Sequence, residues 1–290
     1  MRILVTGATG FIGGHVLQPL RARGFEVHTL GRRRPADPTV IHHGADLLDP
    51  VAVRQAVAAA RASHLLHLAW YVEPGRYWTA PQNLDWVAAS LNLVRAFTAA
   101  EGERIVVAGS CAEYEWNGPA LALGTPATLY GVAKDALRRL LEAAVPDRVA
   151  WGRVFLLYGP GEPPGRLVSG AIAALLAGQR FATSHGRQRR DVLHVADVAE
   201  AFAALAASTA AGSFDIGSGT APPVRSVIEE VARHTGGALR IDWDAKPLPP
   251  SEPAVLQADP ARLHAATGFV PAFDLARGIA DTVACMRALV

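Results

Sequence analysis

The chain has 290 residues, half of them apolar, enough for one large core with a smaller lobe attached and incompatible with a disordered protein. A formal net charge of +2 is small for this length, so no general polyanion-binding face and no nucleic-acid partner are expected. Two cysteines, Cys111 and Cys285, stand far apart and in no metal-ligand spacing. With no apolar run of roughly 18 residues, that usage leads to the expectation of a reduced cytoplasmic protein with neither metal nor membrane span.

Short apolar runs at 3–6, 26–30, 65–68, 104–108 and 149–155 read as strands, and helical patterns fill 11–23, 50–61, 81–100 and 127–144 between them. Such alternation is βαβ repetition, so the predicted fold class is α/β: a doubly wound parallel sheet of the Rossmann type, covered on both faces. After Tyr158 the chain becomes Pro/Gly-rich, with shorter strands and scattered helices. Residues 1–158 are therefore expected to form a dinucleotide-binding domain and 159–290 mainly a smaller, interleaved substrate-binding lobe. A segment near 189–217 is expected to return to the first domain, with 197–207 as an amphipathic helix.

The first strand runs into Thr6-Gly7-Ala8-Thr9-Gly10-Phe11-Ile12-Gly13, and the first helix opens there. Glycines at that junction permit a tight turn and a close approach of backbone to a pyrophosphate, while the helix N-terminus offers oriented N–H donors. Gly7, Thr9, Gly10, Phe11, Ile12 and Gly13 are thus candidate cofactor contacts. The second strand ends in Arg32-Arg33-Arg34, where folds that prefer NAD usually carry an acid for the ribose hydroxyls. Guanidiniums without a carboxylate suit a 2′-phosphate, so NADP is the expected cofactor, with Arg32 and Arg33 as its contacts.

Only two of the basic residues are lysines, Lys134 and Lys246, and one of them follows Tyr130 by four positions. At the start of a helix that spacing puts both side chains on one face. An ammonium beside a phenol of reference pKa near ~10 favours the phenolate and makes it a usable acid and base. Ser110 ends the strand at 104–108, at the same sheet edge, where its hydroxyl can donate to a developing oxyanion.

Several segments together resemble the extended short-chain dehydrogenase/reductase superfamily, in its nucleotide-sugar branch of epimerases, dehydratases and 4-ketoreductases. They are Thr6 through Gly13, Gly44-Ala45-Asp46, His67-Leu68-Ala69, Ser110, Tyr130 with Lys134, Arg153 through Pro160, Arg190 through Asp197, Phe214 through Gly219, and Thr267 through Pro271. The resemblance runs nearly end to end. It implies Ser110, Tyr130 and Lys134 as the catalytic residues, with Lys134 and Tyr130 also holding the nicotinamide ribose. It further implies Asp46, Leu47, Leu68, Ala69, Trp70 and Phe155 as cofactor contacts, a nucleotide-diphosphate sugar as substrate, and a homodimer built through 81–100 and 127–144. Cys111, Glu113, Arg166 and Arg190 are the candidate substrate contacts, and Trp70, Tyr71, Tyr77 and Trp78 a candidate cleft wall. His64 and His67 read as packing or capping residues.

The departures narrow the choice within the branch. Sugar 4,6-dehydratases carry an acidic pair just after the Ser/Thr position, where this chain has Cys111 and Ala112. GDP-fucose synthase has a working Cys and His that Cys111 and Gly170 do not match. The main expectation is consequently NADPH-dependent reduction of a nucleotide-linked 4-keto-6-deoxy sugar. The alternatives are a nucleotide-sugar 4-epimerase, a reductase of a non-nucleotide ketone, and a non-catalytic NADP-binding sensor.

Overall fold

A computed structural model describes residues 1–116, 121–249 and 252–289. Seven strands pair into one all-parallel sheet: β1 (Arg2–Thr6), β2 (Glu26–Gly31), β3 (Ile41–Gly44), β4 (His64–His67), β5 (Arg104–Ser110), β6 (Val149–Val154) and β7 (Gly212–Ile216). Their spatial order is β3-β2-β1-β4-β5-β6-β7. The direction of winding reverses between β1 and β4, and in open α/β sheets that switch point opens a crevice at the carboxyl ends of the strands.

The helices are α1 (Phe11–Ala22), α2 (Pro50–Ala60), α3 (Gln82–Ala99), α4 (Leu129–Ala144), α5 (Leu167–Leu176), α6 (Val195–Ala207), α7 (Val224–Thr235), α8 (Ala261–Thr267) and α9 (Leu275–Arg287). Period-two alternation along the strands decides which helices cover which face. Ile3, Val5, Val106 and Ala108 pack under α1 and α6 through Val16, Leu20, Val198 and Phe202. Leu4, Leu65, Ile105 and Val107 point the other way, against Val53 and Val57 of α2, Leu93 and Phe97 of α3, and Leu137 and Leu141 of α4. A slip of one residue in any strand would exchange the two sets, so burial on both faces fixes the register.

β7 pairs with β6 from Gly212↔Ala150 to Ile216↔Val154, and α6 packs beside α1, so the chain re-enters the sheet after the segment that carries α5. A separate apolar cluster joins α5, α7 and α9 through Ile172, Leu175, Val227, Ile228, Val231, Ile279 and Val283. β3 is absent from the strands expected above. Its sequence, Ile-His-His-Gly, has no apolar run, and it is formed as an edge strand by pairing with β2, Thr29↔His42 and Leu30↔His43. Among the described residues no helix is long and apolar enough to cross a membrane.

Candidate active site

The chain leaves β1 at Thr6 and turns at Gly7, whose φ of +72° lies in the left-handed region. A Cβ there would stand 2.7 Å from the Ala69 nitrogen, so the turn lies directly against the chain leaving β4. The Gly10 N–H closes the turn on the Gly7 carbonyl at 2.9 Å, and Gly10 then caps α1 without any side-chain hydrogen bond. The first-turn N–H groups of α1 are left for an incoming anion, which is what a pyrophosphate requires. A groove of about 220 Å³ opens beside the turn, lined by Gly7, Ala8, Thr9, Gly10, Leu47, Ala69 and Trp70, with Arg32, Arg33 and His42 at its far end. These residues fit a dinucleotide.

Among the other expected cofactor contacts, Phe11, Ile12 and Gly13 form the first turn of α1. Asp46 accepts the Leu48 N–H at 3.0 Å and so shapes the bend that presents Leu47. Leu68 donates its N–H to the Thr6 carbonyl and packs against the core. Phe155 departs from the expectation: it does not line this groove but is buried with Cys111 and Ala258, held by its N–H on the Ile216 carbonyl at 3.0 Å just before Leu156–Tyr158 pairs with Val192–His194. Thr29, His42 and Trp86 line the groove and were not singled out from the sequence.

β1 and β4 are locked together by a chain of buried hydrogen bonds. Ser90 Oγ donates to the Trp86 carbonyl at 2.6 Å and therefore accepts from His67 Nε2–H at 2.8 Å, which leaves Nδ1 to accept from Thr6 Oγ1 at 2.6 Å. Burial, with Lys134 adding to it, holds the His67 imidazole neutral, its pKa pulled down to about 3. The folded value is below the unfolded one, so the stability this histidine contributes is present above about pH 6.5 and is lost as pH falls toward 3. About 2 kcal/mol should be gone by pH 5, measured by urea denaturation, and His67→Gln should lack that component of the acid limb.

Tyr130 and Lys134 occupy the first turns of α4. Thr128 Oγ1 caps the helix on the Gly131 N–H at 3.1 Å, and the Tyr130 N–H bonds the Trp78 carbonyl at 3.1 Å. A Cβ on Gly131 would sit 2.1 Å from the Ala112 carbonyl, so the first turn of α4 rests directly on the short 3-10 turn Cys111–Glu113 that follows Ser110. The Tyr130 ring is boxed by the edges of Tyr77 at 4.9 Å, Trp78 at 5.8 Å and Trp70 at 6.5 Å between centroids. Trp70 is itself fixed by Nε1–H donation to the buried Asn83 at 2.9 Å. Lys134 Nζ donates to the Ala108 carbonyl at 2.8 Å and lies 3.7 Å from the centre of the Trp70 ring. The three residues read as catalytic are thus gathered at the carboxyl end of β5.

Their electrostatics differ from the expectation. Burial pushes the Tyr130 hydroxyl above its ordinary value, with the Ser110 side chain pulling the other way, so the phenol rests neutral instead of poised as a phenolate. Burial also brings the Lys134 amine down to about 7, with Glu113 holding it up. Ser110 accepts the Ala112 N–H on Oγ at 3.2 Å and so caps the turn as well as facing the site.

The candidate substrate contacts separate. Arg166 stands over the Tyr77 ring at 5.5 Å and therefore at the edge of the aromatic box. Glu113 is fully buried in an ion pair with Arg153 and does not face the cleft. Cys111 is buried against Phe155 and Ala258, and burial drives its thiol up to about 12, which removes it as a contact or nucleophile. Arg190 is also buried; it is paired with Glu252 and donates to the Arg189 carbonyl at 2.7 Å, so its charge is already partnered. Among the described residues no group of three or more His, Cys, Asp or Glu side chains is placed to hold a metal.

A parallel switch-point sheet, an uncapped glycine turn and a Ser-Tyr-Lys set at the end of β5 define an NAD(P)-dependent enzyme of the extended short-chain dehydrogenase/reductase type. Residues 3–217 match the model of the NAD dependent epimerase/dehydratase family, and the chain belongs to that family. It is similar to the UDP-glucose 4-epimerase of Neisseria meningitidis serogroup A, 27% identical over 97% of this chain and 95% of that protein. A 3-diazoavenalumate denitrifying reductase of a Streptomyces species is 32% identical over 81% of this chain and 82% of its own length. The crystal structure of Thermus thermophilus UDP-glucose 4-epimerase in complex with NAD superposes with a TM-score of 0.88 over the whole of both chains at 26% identity.

Proposed function

We propose that the chain interconverts a carbinol and a ketone at C4 of a nucleotide-linked hexose, as a 4-epimerase. The observation that carries this reading is the gathering of Ser110, Tyr130 and Lys134 around the end of β5, beside a groove that fits a dinucleotide. The relatives named UDP-glucose 4-epimerase support epimerisation over reduction alone.

A dinucleotide held in the groove by the Gly7–Gly10 turn would accept the C4 hydride and give it back to the other face of the ketone, with no net oxidation. Tyr130, neutral at rest, first sheds its proton to solvent, favoured by the Lys134 ammonium; as phenolate it takes the C4 hydroxyl proton while that carbon is oxidised, and returns it to the same oxygen as the ketone is reduced. Ser110 steadies the same oxygen by hydrogen bonding. Lys134, pinned on the Ala108 carbonyl one helical turn from Tyr130, contributes positive charge where the phenolate forms. Tyr77 and Trp78 shield the exchange from water, and Arg166 above Tyr77 supplies a guanidinium for a diphosphate. A homodimer through α3 and α4 is supported by Leu84, Val132 and Leu140, apolar side chains exposed on those helices.

A second reading, NADPH-dependent reduction of a 4-keto-6-deoxy sugar, is favoured by the far end of the groove. Arg32, Arg33 and His42 line it and, among the described residues, no carboxylate does, an arrangement that suits a 2′-phosphate. Replacing Arg32 and Arg33 together by Ser should weaken NADP binding by about tenfold or more and leave NAD binding unchanged, read by fluorescence titration of both cofactors. Equal losses for the two would remove the 2′-phosphate from the site. The deciding assay follows UDP-glucose and UDP-galactose by NMR, alongside NADPH absorbance with nucleotide 4-keto-6-deoxy sugars. Epimerisation gives the second sugar with no net change in cofactor, whereas reduction consumes NADPH one for one. Neither outcome with any nucleotide sugar would overturn both readings.

A further inference from the structure

Glu113 takes no part in the chemistry above, yet it is wholly buried within three residues of Ser110. Its Oε1 accepts the Ser110 backbone N–H at 2.7 Å and Trp151 Nε1–H at 3.0 Å, and its Oε2 accepts Trp151 Nε1–H at 2.9 Å and Arg153 Nε–H at 2.9 Å. All of these partners are donors. A protonated carboxyl would have to turn its own O–H toward one of them, so the geometry calls for the carboxylate. We propose that Glu113 is a positioning residue, the buried counter-charge that keeps Lys134 an ammonium and fixes the end of β5 for the proton transfer; the proposal rests on the Ser110, Tyr130 and Lys134 reading above.

Two charges grip consecutive peptide units. Lys134 Nζ holds the Ala108 carbonyl and Glu113 holds the Ser110 N–H, with Gly109 between them. A Cβ at residue 109 would lie 2.1 Å from Trp151 Nε1 and 2.6 Å from Glu113 Oε1, so the carboxylate reaches the strand only because that residue is glycine. Burial raises the Glu113 carboxyl, and Arg153 with the N–H groups of Ser110 and Trp151 pulls the other way; with those donors aimed at both oxygens, Glu113 is the anion left to act on Lys134. On the β4 side His67 is neutral, and on α4 Tyr130 is a neutral phenol. From the turn after β5 and the loop before α3, burial raises the Cys111 thiol and the Tyr77 hydroxyl, and both stay uncharged. Beyond Glu113, Arg153 stacks 5.0 Å from the Tyr114 ring, and Tyr114 donates to Asp215 at 2.8 Å. With the Glu113 and Asp215 carboxyls ionised, Arg153 alone leaves one negative charge in this buried set, and the Lys134 ammonium cancels it.

The composition of the chain makes this directly measurable. With Lys134 and Lys246 the sole lysines, protein labelled with ¹³Cε-lysine gives two side-chain signals, and Lys246→Arg assigns them. The wild-type Lys134 signal should titrate near pH 7, and Glu113→Gln should lower that midpoint by about one unit or more, with about a tenfold loss of turnover at pH 7.5 and unchanged dinucleotide affinity. Mere loosening of the structure would admit water and move the midpoint upward, so a rise, or no movement, overturns the proposal. Glu113→Asp keeps the charge and should restore most of the wild-type midpoint. If Glu113→Gln does not fold, the aspartate variant is read alone: a small fall supports the role and a rise or no movement refutes it. Absence of turnover by the wild type on every nucleotide sugar would sink the functional reading, while the lysine titration would still decide the fate of Glu113.

Discussion

Tyr130→Phe should lower turnover by about 10²–10⁴-fold while the dinucleotide binds as before, because the substitution removes one hydroxyl and leaves the ring in its box. The T-shaped packing of Tyr77, Trp78 and Trp70 is with the ring, which phenylalanine keeps, so packing and fold are retained. The cofactor groove is built from Gly7 to Gly10 and the strand ends, none of which this change touches. Loss of activity together with loss of binding would point to collapse of the cleft, and retained turnover would take Tyr130 out of the mechanism. The pH profile adds a second check. Lys134 is an ammonium below about 7 and loses its proton as pH rises through that value, so wild-type turnover should decline on the alkaline side. That limb should vanish in Lys134→Met, measured by kcat across pH 6 to 9 at saturating cofactor.

How far the sequence carried this reading depends on how local each signal was. The glycine turn, the arginine loop and the Tyr-to-Lys spacing are each contained within a few residues of one element junction. Position in the βαβ order then places them at one sheet edge, so chain order suffices. Arg190 fails that test because its partner, Glu252, is 62 residues away, and only the folded chain shows its charge to be engaged. His42 was missed for a related reason: β3 has no apolar signature and exists by pairing with β2, which is what delivers the imidazole to the groove. Glu113 was within reach. Ser110 and Glu113 have the spacing of a capping box, in which the acid turns back onto the amide of the capping residue, and the turn Cys111–Glu113 shows that arrangement. Read for local hydrogen bonding instead of proximity to a substrate, the motif points inward. The raised Tyr130 hydroxyl could not be foreseen from spacing, since it comes from burial among aromatic rings contributed by the loop between β4 and α3.

Gly13 and Gly14 adjoin in the first turn of α1 and should respond to alanine in opposite ways. A Cβ on Gly13 would fall 2.0 Å from the Gly7 carbonyl oxygen and 2.7 Å from Ala8 Cα, all backbone with no side chain to swing aside. Either α1 must shift off the sheet or the turn at Gly7 must open, and both dismantle the surface that receives the pyrophosphate. Gly13→Ala should therefore cost about 1–3 kcal/mol in urea denaturation and weaken dinucleotide binding by about 100-fold or more, since the helix N-terminus no longer meets the anion at hydrogen-bond distance. Gly14 has open space where its Cβ would be, and helical backbone favours alanine over glycine by about 1 kcal/mol, so Gly14→Ala should stabilise the protein slightly and leave binding unchanged. Because the pair shares a helical turn and a chemical change and differs in that Gly13 is buried and Gly14 exposed, helix propensity cannot account for a difference between them. Wild-type binding by Gly13→Ala would mean that the turn is not the pyrophosphate seat, and with it would go the orientation of nicotinamide toward Tyr130 on which the proposed chemistry depends.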